Sequence, residues 1–281
     1  MKYLLFVFVV LCSYSSHAQL PALWDHLIYS KDLSYIKSYQ EQQHKEFDPG
    51  DLVIFYYRTL CGDFSEGLYT YRRRQPNDDQ YMLKFQIKVI TRKGKIIYCS
   101  IGEEDVRPRS PERDGSKEDV DHRDRYIERA QYKDSGSYAD LEQSFRETYI
   151  ADLNVEALFN ERIYYGVFCG LGGIAPDERL TMDTIVSAGD HQTLTAWLQS
   201  TNTETQLYGV YGCMKLKRKG LALSPLERQL VAAISKKIGT AQNCAYCDFG
   251  SSDIRSIIKD IKKTKSAGHI GSNVYDDSLD N

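Results

Sequence analysis

The sequence predicts an α+β protein in which N-terminal helices and an antiparallel β-meander precede an all-α helical domain. Between residues 52 and 101 apolar side chains recur at every second position, which is typical of strands. Between residues 190 and 238 they recur at every third or fourth position, as on one face of an α-helix. A strongly charged stretch separates the two patterns. We therefore expect an α+β domain at 19–102 and a helical domain at 138–262.

The first 18 residues are typical of a secretory signal peptide. Lys2 precedes a short apolar run, and residues 16–18 form a small-x-small cleavage motif. The run is too short to span a bilayer, and no later segment approaches the roughly 20 apolar residues of a membrane span. We expect cleavage before Gln19 and export to the periplasm or the cell exterior. A lipoprotein acylated at Cys12 is the alternative.

Residues 20–43 are predicted to form two short helices, and the turn at 48–50 leads into the sheet. Four strands are predicted, at 52–57, 67–73, 81–91 and 96–101. The third alternates apolar residues with lysine and glutamine, which indicates one buried and one solvated face. Residues 92–95 carry the lysines and glycine of a hairpin connection.

Residues 103–137 are predicted to be a flexible linker. More than half of the residues in 103–134 are charged, both signs are mixed, and apolar residues are scarce. Such a segment cannot bury enough apolar surface to offset its ordering entropy. A docking segment that orders on a partner is the alternative. The polar tail at 263–281 is expected to be disordered.

Apolar residues at helical spacing predict helices at 138–149, 154–171, 176–189 and 254–261 around the central stretch 190–238. We expect three helices in that central stretch.

The ends of the three central helices are marked by capping residues. The first carries Trp197 on its apolar face, and the second begins with a capping box of Thr203 and Gln206. The third begins at Ser224, followed by proline and an acid three residues later, and Gly239 closes it. Lysine and arginine in the last turns of the second helix favour the negative end of its dipole.

Part of this helical region resembles a known repeat family. The matching positions are Asp190, Leu194, Trp197, Leu198, Gln206, Val210 and Leu216. In outline they resemble one helix pair of a HEAT-type repeat, and residues 176–189 resemble half of a preceding unit. The resemblance implies a stacked-helix domain with a binding surface, and it implies no activity.

Six cysteines follow the predicted cleavage site, and an even number in an exported protein predicts disulfides. They are Cys61, Cys99, Cys169, Cys213, Cys244 and Cys247. The pairs favoured by position are Cys61–Cys99, Cys169–Cys213 and Cys244–Cys247, although spacing leaves other connectivities open.

The Cys244-x-x-Cys247 pair has two sharper interpretations. A thioredoxin-type redox pair requires the motif between a strand and a helix in a βαβ unit, and no parallel sheet is predicted here. A zinc site requires four ligands, so Cys213, His191 or His269 would have to complete it. A disulfide or helix-connector role is favoured over both.

Other candidates for catalysis are weaker. Cys169 with His191 as its base is a nucleophile hypothesis, set against the simpler reading of a buried core cysteine. The glycine-rich run at 170–173 follows a predicted helix and is expected to end it. The acidic pairs at 78–79 and 103–104 are expected to be solvated loop charge.

The sequence favours a secreted, non-enzymatic binding or scaffold protein without a cofactor. The net charge of -3 does not indicate binding to nucleic acid or to an anionic membrane. A protein or a glycan is the expected partner, bound through the helical domain. The alternatives are a secreted hydrolase that uses cysteine or carboxylate chemistry, and a redox or zinc protein acting through Cys244 and Cys247.

Overall fold

A computed structural model describes most of the chain between residues 51 and 263. The described residues are 27, 30–34, 51–75, 78–104, 126–160, 162–170, 173–246 and 248–263. The predicted signal peptide, most of the predicted N-terminal helices, the middle of the charged stretch and the tail lie outside them. Those predictions stay predictions.

A five-stranded antiparallel meander forms the first part of the fold, with the strands in chain order. The strands are β1 (Asp51–Cys61), β2 (Phe64–Gln75), β3 (Asp78–Arg92), β4 (Lys95–Glu104) and β5 (Tyr126–Lys133). The β3–β4 turn has positive φ at both Lys93 and Gly94, which matches the right-handed twist of a two-residue hairpin. The predicted antiparallel meander is therefore confirmed, with longer strands and one more strand than expected.

The fifth strand corrects the predicted linker at 103–137. Glu103 and Glu104 end β4, and residues 126–133 pair with it as β5. The side chain of Arg129 donates to Glu103 at 2.6 Å across the two strands. No β5 side chain is buried and four of the eight are exposed, because β5 ends the strand order. Such a strand needs few apolar residues, so composition alone did not reveal it.

Contacts divide the chain into two compact units. One is Met1–Leu52 with Tyr71–Asp134, and the other is Val53–Thr70 with Ser135–Asn281. The second unit therefore contains most of β1, residues 64–70 of β2, and every helix and strand that follows β5.

The second unit contains seven labelled helices and a three-stranded sheet. The helices are α1 (Ser135–Tyr149), α2 (Val155–Leu158), α3 (Asp177–Ala188), α4 (His191–Leu198), α5 (Thr203–Arg218), α6 (Pro225–Ile234) and α7 (Ile254–Lys263). The strands are β6 (Tyr165–Cys169), β7 (Thr240–Tyr246) and β8 (Asp248–Asp253). The pair β6–β7 is parallel and the pair β7–β8 is antiparallel. The C-terminal part is α+β, so the prediction of an all-α HEAT-like domain is wrong in that respect.

The predicted helix at 154–171 is the clearest error. Of the residues in this range that the structure describes, only those of α2 are helical, and residues 165–169 form the strand β6. The apolar spacing that suggested a helix is shared by a short strand of aromatic and β-branched residues. At Gly166 an added Cβ would lie 2.5 Å from the carbonyl oxygen of Cys244, so glycine permits the close approach of β6 and β7.

The three predicted central helices are confirmed as α4, α5 and α6. The N-cap of α5 is Asn202 rather than Thr203, and its side chain accepts from the Thr205 amide at 2.9 Å. The capping box of Ser224 and Glu227 is present at the start of α6. Trp197 is half-buried rather than fully buried.

Helix α5 is the centre of the second unit. Its first eleven residues are buried except Thr205. Gly209 and Gly212 allow neighbouring helices to approach closely, since a Cβ at Gly212 would lie 2.5 Å from Leu194 in α4. Both charged regions described next include residues of α5.

Candidate functional site

A buried ion-pair cluster lies where β1 and β2 contact the start of α5. Arg58 Nε donates to Glu66 Oε1 at 2.6 Å, and its two terminal nitrogens donate to Glu204 at 2.5 and 3.2 Å. The guanidinium carbon lies 3.9 Å from the ring centroid of Tyr56. All four side chains are at most 1% exposed. Such bidentate, stacked geometry is the arrangement in which arginine tolerates burial.

Lys237 adds a second cation to this cluster. Its ammonium donates to the Thr203 hydroxyl at 2.9 Å, and that hydroxyl donates to Glu66 at 3.4 Å. Burial lowers the pKa of Lys237 to about 8. Burial also raises the pKa of Glu66, although Arg58 and Lys237 oppose that rise. With two cations and two carboxylates, the cluster is balanced in charge and sealed from water.

The segment after α6 places Lys237 in the cluster. The Thr59 amide donates to the carbonyl of Ile238 at 2.8 Å, and Gly239 forms a bridge with Arg58. Gly239 has φ 111°, and a Cβ there would overlap the carbonyl oxygen of Tyr57. Helix α6 ends at Ile234, so the prediction that Gly239 closes it is wrong. Glycine instead allows the chain to lie directly against β1.

A second charged region is an open groove of about 620 Å³ on the helical side of the same unit. Its apolar lining comes from the end of α5, the α5–α6 connection and α6. These side chains are Met214, Leu221, Ala222, Leu223, Val231 and Ala232. Leu221 is 42% exposed, whereas Val231 is 8% exposed. The groove therefore has an aliphatic floor that is partly open to solvent.

Every ionisable side chain that lines the groove is basic. They are Lys217, Arg228, Lys236 and Lys262, and Ser235 completes the polar lining. All four basic residues are exposed. Within the described part of the chain, none of the four takes part in an ion pair. The groove thus presents positive charge around an apolar floor.

Local structure fixes this lining. Gly220 has φ 83°, and the Leu221 amide donates to the Leu216 carbonyl at 3.0 Å, which reverses the chain after α5. The Arg228 guanidinium donates to the Leu223 carbonyl. Lys262 of α7 donates to Ser235 at 3.4 Å. The rim residues therefore come from four segments held by backbone and side-chain hydrogen bonds.

The cysteine pairing differs from the favoured one. Cys169 of β6 and Cys244 of β7 form a disulfide, with their Cα atoms 5.4 Å apart. Cys61, Cys99 and Cys213 are free and buried, so the Cys61–Cys99 and Cys169–Cys213 pairs are wrong. The Cys244–Cys247 pair is wrong as well, and Cys247 itself lies outside the described residues. The error has a clear cause, because the parallel β6–β7 pair that joins Cys169 to Cys244 was not predicted.

Burial raises the pKa of the Cys99 and Cys213 thiols to about 12, and burial also raises the pKa of Cys61. A thiol reacts as its thiolate, so these three cysteines behave as small core residues.

The Cys169 and His191 hypothesis is not supported by their contacts. Cys169 is in the disulfide, and His191 Nδ1 lies 2.8 Å from Glu227 Oε1 beside the capping box of α6. Among the described residues, no group of histidine, cysteine and acidic side chains could hold a metal ion. His269 and Cys247, two of the zinc candidates, lie outside those residues.

Two other expectations need correction. The run at 170–173 follows the strand β6 rather than a helix, and the Cys169 amide donates to the Ile174 carbonyl at 2.8 Å across it. The acidic pairs lie in strands rather than loops, with residues 78–79 opening β3 and 103–104 ending β4. The absence of a predicted parallel sheet counted against a thioredoxin-type role for Cys244 and Cys247. The pair β6–β7 is parallel, so that part of the reasoning was wrong.

Sequence reasoning missed both charged regions. The buried cluster joins residues far apart in the chain, and nothing in their local sequence marks them. The groove did leave a signal, because the basic run at 215–219 is followed, after Gly220, by apolar residues 221–223. That run was interpreted only as a favourable helix end.

Comparisons of the chain with protein-family models, with curated protein sequences and with solved structures find no match. Among the residues that the structure describes, no helix is long and apolar enough to cross a membrane.

Proposed function

We propose that this protein is an exported binding protein whose basic groove takes an acidic, amphipathic segment of a partner protein. The observation that carries the proposal is the combination of an aliphatic floor with exposed basic residues that no described carboxylate neutralises. A ligand that satisfies both features must present apolar side chains on one face and carboxylates beside them.

The dimensions suit a short peptide segment. Ligand pockets typically enclose about 300–1,000 Å³, and this groove has about 620 Å³. An amphipathic helix binds such a groove through apolar residues three and four positions apart. Lys217 and Lys236 belong to different segments of the lining, so a ligand with several carboxylates would find more than one cation. The aliphatic stems of the lysines extend the apolar contact.

A protein partner fits this lining better than a glycan. Sugar rings stack well on aromatic side chains, whereas the apolar lining here consists of aliphatic side chains and Met214.

Export is supported by two independent features. Residues 1–18 have the pattern of a secretory signal, and the Cys169–Cys244 disulfide is of a kind that persists in oxidising compartments. We therefore propose that the partner is a protein of the periplasm or the cell exterior.

Binding of a fluorescent amphipathic peptide tests the proposal. The probe carries leucine on one helical face and glutamate on the other, and its anisotropy is followed as the protein is added. We expect saturable binding that weakens with added salt. Lys217→Glu combined with Lys236→Glu should weaken it about tenfold or more, because two attractive contacts become repulsive.

Two controls define the outcome. Lys259→Glu reverses an exposed charge on α7 outside the groove and should leave the dissociation constant unchanged. A probe with lysine in place of glutamate should not bind. If the glutamate probe and the lysine probe bind with equal affinity, the groove is not the site. The same conclusion follows if Lys259→Glu weakens binding as much as Lys217→Glu combined with Lys236→Glu. Preference for anionic lipid vesicles over the peptide would replace a protein partner with a membrane.

A further inference from the structure

The sequence beyond α7 carries the chemistry that the groove requires. Residues 274–281 read VYDDSLDN, with Val274, Tyr275 and Leu279 beside Asp276, Asp277 and Asp280. No lysine or arginine occurs in residues 266–281. This segment is therefore acidic and amphipathic, whereas the four cationic side chains of the groove have no described carboxylate partner.

We infer that residues 274–281 dock into the basic groove of the same molecule and compete there with the partner segment. The inference rests on the proposed function, because it assigns a second occupant to the same groove. Apolar residues of the segment contact the aliphatic floor around Val231, and its aspartates lie near Lys217 and Lys236. Charge complementarity selects this occupant, since the lining contains no carboxylate that would repel it.

The position of the segment makes this contact possible. Lys262 lines the groove and is one residue from the end of α7. The 11 residues from 264 to 274 span at most about 40 Å when extended. A tether of this length keeps the segment at an effective concentration on the order of millimolar, so even weak contacts produce substantial occupancy.

Occupancy in cis has a direct consequence for binding. A partner must displace the segment, so its apparent affinity falls by the fraction of molecules in which the groove is free. Partners with more carboxylates or a better apolar face than VYDDSLDN overcome this competition, and weaker acidic sequences do not. The segment thus sets the minimum affinity for the groove that a partner needs in order to bind.

Zero-length cross-linking of the full chain tests docking without any added ligand. A carbodiimide joins carboxylates to lysine amines that are in contact, and mass spectrometry identifies the joined peptides. We expect links from Asp276, Asp277 or Asp280 to Lys217 and Lys236, at least threefold more frequent than links to Lys259. Mixing with isotope-labelled protein separates links within one molecule from links between two.

Links that reach Lys259 as often as Lys217 and Lys236 would overturn the inference. Links restricted to lysines adjacent in sequence to the segment would overturn it as well, because they need only chain proximity.

The amphipathic probe then separates this inference from the proposed function. Replacing the three aspartates by asparagine in the full chain should tighten probe binding at least threefold. If the probe binds wild type and this variant equally, and Lys217→Glu/Lys236→Glu still weakens binding, the competition is wrong and the proposed function stands. If neither protein binds the probe, the proposed function fails, and the cross-links alone decide the docking.

Discussion

The buried cluster around Arg58 and the basic groove around Lys217 use the same kinds of side chain in opposite ways. In the cluster, Arg58 and Lys237 face Glu66 and Glu204, and all four are sealed from solvent. In the groove, four cations surround an aliphatic floor, remain exposed, and have no described carboxylate partner. Both regions belong to the same compact unit and contact α5.

The difference shows where a charge contributes to folding and where it is available for binding. Removing one partner of a buried pair leaves an uncompensated charge in a low-dielectric interior, which is strongly unfavourable. Removing an exposed lysine costs little. We therefore expect substitutions in the cluster to change stability, and substitutions in the groove to change binding.

Arg58→Met should produce the largest effect. The substitution keeps a long apolar side chain but leaves the carboxylates of Glu66 and Glu204 buried without their cation. We expect a loss of about 3–5 kcal/mol in the free energy of unfolding, measured by urea denaturation. Arg146→Met is the matched control, because Arg146 pairs with Asp152 on the exposed surface of the same unit. It should cost under about 1 kcal/mol. Equal effects of the two substitutions would contradict the contrast between buried and exposed pairs.

The buried lysine should make stability depend on pH. The pKa of Lys237 is lowered by burial from 10.5 to about 8. Between these values the folded state loses the proton first, so the unfolded state binds more protons and stability rises with pH. Relative to Lys237→Met, the wild type should gain about 2–3 kcal/mol between pH 8 and 10.5. Tyrosines and cysteines contribute equally to the pH dependence of both proteins, so their contribution cancels in the difference between the two free energies of unfolding.

A difference between wild type and Lys237→Met that stays constant with pH would mean that Lys237 is not buried in the cluster.

Gly239→Ala should have the next largest effect. An added Cβ overlaps the carbonyl oxygen of Tyr57, and φ of 111° is strained for alanine. We expect a loss of about 2–3 kcal/mol in urea denaturation. Gly220→Ala also places alanine at positive φ, but nothing lies within 4 Å of its Cβ, so it should cost only about 1 kcal/mol. If Gly239→Ala and Gly220→Ala lower the free energy of unfolding by the same amount, residue 239 does not lie close to β1.

The groove should give the smallest change in stability. Lys217→Gln combined with Lys236→Gln removes two exposed charges without a described ion pair. The free energy of unfolding should stay within about 0.5 kcal/mol of wild type, while the affinity for the acidic probe falls. A large loss of stability would place these lysines with the cluster rather than with a binding surface.

Much of the fold follows from local sequence. The alternation of Phe85, Ile87 and Val89 predicts β3, and the capping box at Ser224 predicts the start of α6; the structure bears out both. These signals lie within one element, so no knowledge of distant contacts is required.

The errors involve elements whose pattern depends on distant partners. β5 is a charged strand that is stabilised by pairing with β4, and β6 is a five-residue strand that depends on pairing with β7. Without the β6–β7 pair, the disulfide of Cys169 and Cys244 could not be placed. The buried cluster joins Arg58 to Glu204, which are separated by 146 residues, and no local pattern reports such a contact.

Nuclear magnetic resonance of methionine methyl groups tests the groove most directly. Met214 lines the groove, whereas Met182 is fully buried in α3. With ¹³C-methyl labelling and assignment by Met214→Leu, titration of the acidic amphipathic peptide should shift the Met214 signal saturably and leave the Met182 signal in place. A Met214 signal that does not move at peptide concentrations that saturate the anisotropy change would contradict the account, because the peptide would then bind elsewhere.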